Sequence, residues 1–195
     1  MSYCKPLRLT KNLNLIFAFL FITLLSACVS TGKRHDALPY LNQWQVKGRL
    51  AVRTDEQAFS GNLHWTRAQN SQEFKLFGPF GKLYASLTED GEGAELYLDG
   101  SGKQLAVNAD VLIKEALGVD LPLSFLFYWV QGRAIPKAPG EFKLDSQGRL
   151  ESLKFRDWKV KYHNYQYYGK RMLPSKIRIE RPGQLLKLSL RDWKI

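Results

Sequence analysis

The clearest indication of fold class is the stretch Trp44-Gln45-Val46-Lys47-Gly48-Arg49-Leu50-Ala51-Val52. Its large apolar residues fall at even-numbered positions, and its two cations, Lys47 and Arg49, fall between them. Successive side chains of a β-strand point to opposite faces of the sheet. This alternation therefore predicts a strand with one buried and one solvated face.

The same alternation recurs along most of the chain. Two turns rich in glycine, 89–93 and 99–102, separate successive apolar runs in the way that hairpin connections do. The pattern predicts a mainly β fold, an open (unclosed) antiparallel β-barrel of about 11 strands curled around a helical insertion. The further strands are expected around residues 59–65, 74–76, 83–87, 96–98, 142–144, 150–155, 158–167, 177–179 and 186–190.

The helical insertion begins at Asn108, where the spacing of apolar residues changes. Ala109, Leu112, Ile113 and Ala116 recur at helical spacing, with Asn108 as the expected N-cap and Gly118 as the expected end. Pro122 suits the start of a second helix that continues towards Gly132. That helix is apolar on most of its sides, which indicates that it is buried or covers an apolar space.

The N-terminal 28 residues have the pattern of a lipoprotein signal. Lys5, Arg8 and Lys11 precede an uncharged apolar run, 13–25, which ends in Leu25-Ser26-Ala27-Cys28. The run is shorter than the ~20 residues that a membrane-spanning helix needs. We therefore predict a signal peptide over 1–27, acylation of Cys28, a lipidated tether over 28–37 and a single domain over 38–195.

The formal net charge of +11 limits the class of partner. Nucleic acid is not expected outside the cytoplasm, and an anionic lipid or an acidic protein surface would be attracted. The cations alternate along predicted strands, as in Lys47 and Arg49 or Lys176 and Arg178. Two interpretations remain open for these residues: a merely solvated strand face, or a surface that docks an acidic partner or anionic headgroups.

The sequence offers no support for an enzyme. It contains no Gly-x-Ser-x-Gly elbow, no His-Glu-x-x-His motif and no Walker loop. His64 and His163 lie out of phase with the apolar positions of their strands, as surface histidines do. We predict no catalytic residues, no metal and no cofactor.

One turn, Gly78-Pro79-Phe80-Gly81, carries a large apolar side chain where polar residues are usual. In one interpretation Phe80 folds back onto its own sheet. In the other it protrudes as an apolar probe for a membrane or for an apolar cavity in another protein.

Several segments in this order resemble the LolB family, the outer-membrane lipoprotein receptors of the lipoprotein-localisation pathway. The resemblance begins at the Leu25–Cys28 segment and extends over the whole predicted domain. Its other segments are 41–49, Gly78-Pro79-Phe80-Gly81, Tyr128-Trp129-Val130-Gln131-Gly132, Leu173-Pro174-Ser175-Lys176-Ile177 and Leu186-Lys187-Leu188-Ser189-Leu190 before Trp193.

The resemblance implies an unclosed barrel with helices covering an apolar cavity. It also implies a monomeric receptor that accepts lipoprotein cargo by its acyl chains from the periplasmic carrier LolA. The receptor delivers the cargo into the inner leaflet of the outer membrane and faces the periplasm. The residue after Cys28 is Val29. The family's inner-membrane retention signal has Asp at that position, so we expect outer-membrane sorting. Pro79, Phe80 and Gly81 correspond to the family's membrane-insertion loop, whose tip residue is commonly Leu.

Inward positions of the strands and of the second helix are expected to line the acyl-chain cavity. The candidates are Val46, Leu50, Leu63, Trp65, Leu76, Leu126, Phe127, Trp129, Ile177 and Leu188. An alternative function is a structural lipoprotein accessory of outer-membrane assembly that acts through protein contacts. A packed interior with an external apolar groove would favour that alternative.

Overall fold

A computed structural model describes residues 39–120 and 122–195. The predicted signal peptide, Cys28 and residues 28–37 of the tether lie outside the described residues, so the statements about them remain predictions. Within the two described ranges, no helix has the length and apolar character needed to cross a membrane.

Within these described ranges, eleven strands form a single antiparallel sheet. They are β1 (Trp44–Thr54), β2 (Ala58–Arg67), β3 (Gln72–Phe77), β4 (Leu83–Glu89), β5 (Ala94–Leu98), β6 (Gly102–Ala106), β7 (Glu141–Leu144), β8 (Leu150–Phe155), β9 (Trp158–Tyr168), β10 (Arg171–Arg181) and β11 (Gln184–Lys194). Their order in the sheet is β6-β5-β4-β3-β2-β1-β11-β10-β9-β8-β7, and the edge strands β6 and β7 do not pair. The predicted open barrel of about 11 strands is confirmed.

Strand β1 lies near the middle of the sheet and has the predicted alternation. Trp44, Val46 and Val52 are buried, whereas Lys47 and Arg49 are exposed. Gly48 interrupts the side-chain pattern because β11 approaches it closely. A Cβ atom at Gly48 would lie 2.3 Å from the carbonyl oxygen of Ser189, so only glycine fits without a shift of the backbone.

Aromatic side chains hold the inner face of the central strands together. The ring of Trp65 stacks on Phe74 at 4.1 Å and meets Trp44 edge-on at 4.6 Å. Trp44 in turn lies 5.0 Å from Trp193. Such pairs contribute about 0.5–1.5 kcal/mol beyond the burial of their area. Strands β11, β1, β2 and β3 therefore share one aromatic cluster.

The first helix, α1 (Ala109–Leu117), has both predicted ends. The Asn108 side chain accepts a hydrogen bond from the backbone N–H of Val111 at 3.0 Å. Gly118 has a φ of 62°, in the left-handed region, and its N–H donates to the carbonyl oxygen of Lys114 at 3.0 Å. These are an N-cap and a left-handed C-terminal glycine.

The second helix, α2 (Leu123–Trp129), is shorter than the sequence predicts. From Gln131 onward the backbone N–H groups bond to carbonyls three residues back, at Tyr128 and Trp129, with distances of 3.1 and 3.0 Å. The chain therefore tightens into turns before Gly132. Leu123, Leu126, Phe127 and Trp129 are buried, which confirms that the helix packs with its apolar side inward.

A chain of partly buried polar contacts fixes both helices on the sheet. The Glu89 carboxylate on β4 accepts from the Gln72 side chain at 2.5 Å and from the N–H of Ala109 at 2.9 Å. Asp110 on α1 then accepts from the N–H of Leu123, the first residue of α2, at 2.7 Å. The first backbone N–H of each helix thus donates to a carboxylate from an element earlier in the chain.

We expect Asp110→Ala to lower the free energy of unfolding by about 1–2 kcal/mol, because the N–H of Leu123 loses its partner in a partly buried site. Urea denaturation monitored by tryptophan fluorescence would measure it. Glu115→Ala is the matched control, since Glu115 lies on the exposed side of the same helix and should change stability little. Equal effects of the two variants would contradict the proposed role of Asp110.

The charge of Asp110 gives a second prediction. Burial raises the pKa of Asp110 above its ordinary value, and the hydrogen bond from Leu123 opposes this shift. The folded state therefore holds the proton more tightly than the unfolded state, and stability should fall as pH rises through the acidic range. Asp110→Asn keeps an acceptor oxygen without the charge. The stability of the parent relative to this variant should decrease from low pH to neutral pH; a constant difference would contradict the prediction.

Candidate functional site

The loop between β3 and β4 presents Phe80 to solvent. The side chain is fully exposed, at 107% of its reference area, and it makes no return contact with the sheet. The loop contains a short 3-10 turn, Pro79–Gly81, and is closed by a hydrogen bond from Gly78 N–H to the carbonyl oxygen of Lys82 at 2.8 Å. The structure therefore agrees with the second interpretation given above, in which Phe80 protrudes from the sheet.

The backbone of Phe80 adopts a conformation that large side chains rarely take. Its φ and ψ are 60° and 17°, in the left-handed region. For an L-residue this region costs about 1–2 kcal/mol, and the exposed ring recovers none of it by packing. Local strain of this kind at an exposed site is characteristic of functional loops.

The base of the loop is held firmly. A Cβ atom at Gly78 would lie 2.1 Å from the ring of Tyr84, so Tyr84 packs directly over the Gly78 backbone. Lys82 forms an ion pair with Asp99 at 2.5 Å, and the hydrogen bond to Asp99 raises the pKa of Lys82. A fixed base therefore carries an exposed apolar tip.

A cleft of about 610 Å³ lies beside the end of α2. Trp129 lines it, together with Tyr40 and apolar residues of the β7–β8 hairpin, among them Phe142, Leu144 and Phe155. Phe142 is 51% exposed on the edge strand β7. The size and the aromatic lining are typical of a pocket for a small or chain-like apolar ligand.

The polar groups of the cleft are mainly cationic. Arg133 is buried, with its guanidinium 5.4 Å from the centre of the Tyr40 ring. Lys137 also lines the cleft, and Lys154 is paired with Glu141 at 2.9 Å. An apolar chain with a polar or anionic end would fit this combination of aromatic walls and basic groups.

Gln131 fixes the segment that leads into β1 beside the cleft. Its side-chain oxygen accepts from the N–H of Leu41 at 2.9 Å, and its amide donates to the carbonyl of Phe127 at 3.1 Å. Arg171 donates to the carbonyl of Pro39 at 2.8 Å. Residues 39–41 are thereby held next to the cleft, which gives a physical role to Gln131 in the Tyr128–Gly132 segment.

The residues predicted to line the acyl-chain cavity occupy two environments. Trp129 lines the cleft. Seven others belong to the buried core: Val46, Leu63, Trp65, Leu126, Phe127, Ile177 and Leu188. Leu50 is partly buried and packs against this core, whereas Leu76 is partly buried on β3 outside it. Contact of these residues with acyl chains stays a prediction.

The cleft residues on the β7–β8 hairpin escape prediction from sequence. Phe142 and Leu144 alternate like ordinary strand residues, and their lining role follows from the position of β7 at the edge of the sheet. Tyr40 precedes β1 and does not belong to a periodic series of apolar residues that would mark it as a lining residue. Strand β7, with the sequence Glu-Phe-Lys-Leu, has the same alternation as a strand with one solvated face.

In the ranges 39–120 and 122–195, no group of three His, Cys, Asp or Glu side chains could hold a metal ion. The pKa of His64 is lowered by burial and by the nearby cations Lys47, Lys75 and Arg191. The two apolar features of the described residues are the cleft beside α2 and the exposed Phe80 loop.

Comparison with known proteins identifies related sequences. Residues 42–193 match the family model described as outer membrane lipoprotein LolB. An outer-membrane lipoprotein LolB of Pseudomonas putida (strain GB-1) is 31% identical over 173 residues, covering 81% of this chain and 84% of the relative. That of Pseudomonas aeruginosa (strain LESB58) is 32% identical over 147 residues, covering 75% and 72%.

A solved structure supports the fold. The crystal structure of a DUF1329 family protein from Desulfovibrio piger superposes with a TM-score of 0.51 at 8% sequence identity, covering 78% of this chain and 85% of that chain. At this identity the similarity concerns the fold alone.

The exposure of Phe80 can be tested by replacing it with alanine and comparing the effect with that of the same replacement at the buried Phe155. Phe80→Ala should change the free energy of unfolding by less than about 0.5 kcal/mol, because no buried area is lost. Phe155→Ala should cost about 3–5 kcal/mol, because Phe155 is 8% exposed and packs edge-on against Phe125 at 5.0 Å. Denaturant unfolding measures both, and a large loss for Phe80→Ala would mean that the ring packs on the protein.

Proposed function

This chain belongs to the LolB family of outer-membrane lipoproteins, and we propose that it accepts lipoproteins from the periplasmic carrier LolA and inserts them into the outer membrane. Family membership supports a role in outer-membrane lipoprotein localisation. The observation that carries the finer proposal is the exposed, left-handed Phe80 on a fixed loop.

The energetics of the cargo explain why a receptor is needed. Exposing acyl chains to water costs about 0.8 kcal/mol per methylene, which for a triacylated cysteine sums to tens of kcal/mol. The cargo must therefore pass from one apolar environment to another. The cleft beside Trp129 offers such an environment, and Arg133 and Lys137 supply basic groups beside the apolar walls.

Phe80 acts at the step of delivery in this proposal. Inserting its side chain into the membrane interface contributes about 1.5–3 kcal/mol. That energy is too small to anchor a domain but is sufficient to orient one towards a bilayer. Acylation of Cys28 supplies the anchor in this proposal and holds the domain at the surface where release occurs, which raises its effective concentration there.

We expect Phe80→Glu to accept cargo normally from the carrier and to release it into liposomes at least about tenfold more slowly, because the charged tip cannot enter the interface. Phe80→Leu should release nearly as well as the parent. The measurement uses radiolabelled lipoprotein, with uptake from the carrier and release to liposomes scored separately.

Leu105→Glu is the matched control. Leu105 is 77% exposed on the edge strand β6, so the same charge is introduced at another exposed apolar site. This variant should take up and release cargo like the parent. Unchanged release by Phe80→Glu would refute the delivery role, and failure of the parent to take cargo from the carrier would refute the proposed function.

A further inference from the structure

Positive charge is concentrated on four neighbouring strands in the middle of the sheet, β1, β11, β10 and β9. Glu180 and Asp192 are the only acids within these strands. The cations are Lys47, Arg49, Arg53, Lys159, Lys161, Arg171, Lys176, Arg178, Arg181, Lys187, Arg191 and Lys194.

The other seven strands have balanced charge and arrange it in ion pairs. Lys103 on β6 pairs with Glu95 on β5 at 2.9 Å, and Lys143 on β7 pairs with Glu151 on β8 at 2.9 Å. By contrast, Lys47, Arg49, Lys176 and Lys187 form no ion pair with any described residue. The excess of cations on β1, β11, β10 and β9 is therefore a local feature that the rest of the sheet does not share.

The strand register places several of these cations opposite one another. Lys187, Arg178 and Lys161 form one row across β11, β10 and β9, and Lys47 faces Arg191 between β1 and β11. Like charges directly opposite each other destabilise a sheet. Glu180 offsets part of this repulsion through a 2.7 Å contact with Arg178. A folded protein keeps such rows at the expense of stability.

An apolar group borders the same face. Arg49 pairs with Asn62 on β2, Asn62 pairs with Phe77 on β3, and Phe80 follows three residues later. A shallow groove of about 310 Å³, lined by Arg53, Lys187 and the small side chains of Ala51 and Ser60, lies on the central strands. Basic residues beside an exposed apolar side chain are the two components that bind a protein to an anionic bilayer surface.

We propose that the cationic face, defined by Lys47, Arg49, Lys161, Lys176, Arg178 and Lys187, binds the headgroups of anionic phospholipids. The central strands then lie against the membrane while Phe80 enters it. This inference rests on the proposed function and deepens it, because it assigns a lipid class and an orientation to the delivery step. Each cation near the surface strengthens the association about fivefold.

The test uses the full lipidated chain in vesicles of phosphatidylcholine alone or mixed with phosphatidylglycerol. Lysines are acetylated briefly and each site is quantified by mass spectrometry. Labelling of Lys47, Lys161, Lys176 and Lys187 should fall at least about fivefold in the anionic vesicles. It should recover at about 1 M salt, where the Debye length is about 3 Å. The paired lysines Lys103 and Lys143 serve as internal controls and should not change.

A pair of charge reversals completes the test. Lys187→Glu places a carboxylate opposite Arg178, so it should fold at least as stably as the parent and reduce the protection of the remaining face lysines. Lys103→Glu changes the net charge equally, removes a pair on a flanking strand and should leave that protection intact.

Equal labelling in neutral and anionic vesicles would overturn the proposal. Protection that appears only when an acidic carrier protein is added would also overturn it, in favour of a protein partner. The vesicles of the main labelling experiment contain neither carrier nor cargo, so its result is independent of the transfer assay. A receptor that transfers cargo but shows no lipid-dependent protection would keep its proposed function and lose this surface.

Discussion

The structure depends on one constraint: an antiparallel sheet whose edge strands β6 and β7 do not pair must bury its inner face against other elements. The helices and the segment after them fulfil this requirement. Their positions are fixed by carboxylates, first Glu89 at the start of α1 and then Asp110 at the start of α2. Because helices this short are not stable alone, their order derives from these caps and from packing on the aromatic cluster.

The two faces of the sheet are specialised in different ways. The inner face is filled with large apolar side chains such as Trp65 and Ile177, which supply stability. On the outer face of the central strands, rows such as Lys187–Arg178–Lys161 reduce stability. Phe80 also lowers stability, because its left-handed backbone is strained and no packing of its ring offsets that strain. Features that cost stability and bury nothing point to surfaces that interact with something else.

Local patterns predicted the local structure well. The alternation around Lys47 and Arg49, the ends of α1 at Asn108 and Gly118, and the exposure of the Gly78–Gly81 turn all depend on residues close in sequence. The caps from Glu89 and Asp110 and the cleft around Phe142 depend on strand order and register, which local patterns do not contain. Alternation identifies an inward side chain, but it cannot distinguish residues such as Leu63, packed in the core, from residues that contact a ligand.

The unpaired edges have a consequence for access to the inner face of the sheet. In a closed barrel, a lateral opening requires rupture of a ladder of backbone hydrogen bonds. Here β6 and β7 share no such bonds, so access past either edge disturbs side-chain packing and the helical cover but breaks no backbone ladder. Exposed side chains such as Phe142 and Leu144 change rotamer within picoseconds to nanoseconds, many orders of magnitude faster than collective openings. A ligand that enters past the β7 edge would then meet side chains that rearrange quickly, while the backbone ladders of the sheet remain intact.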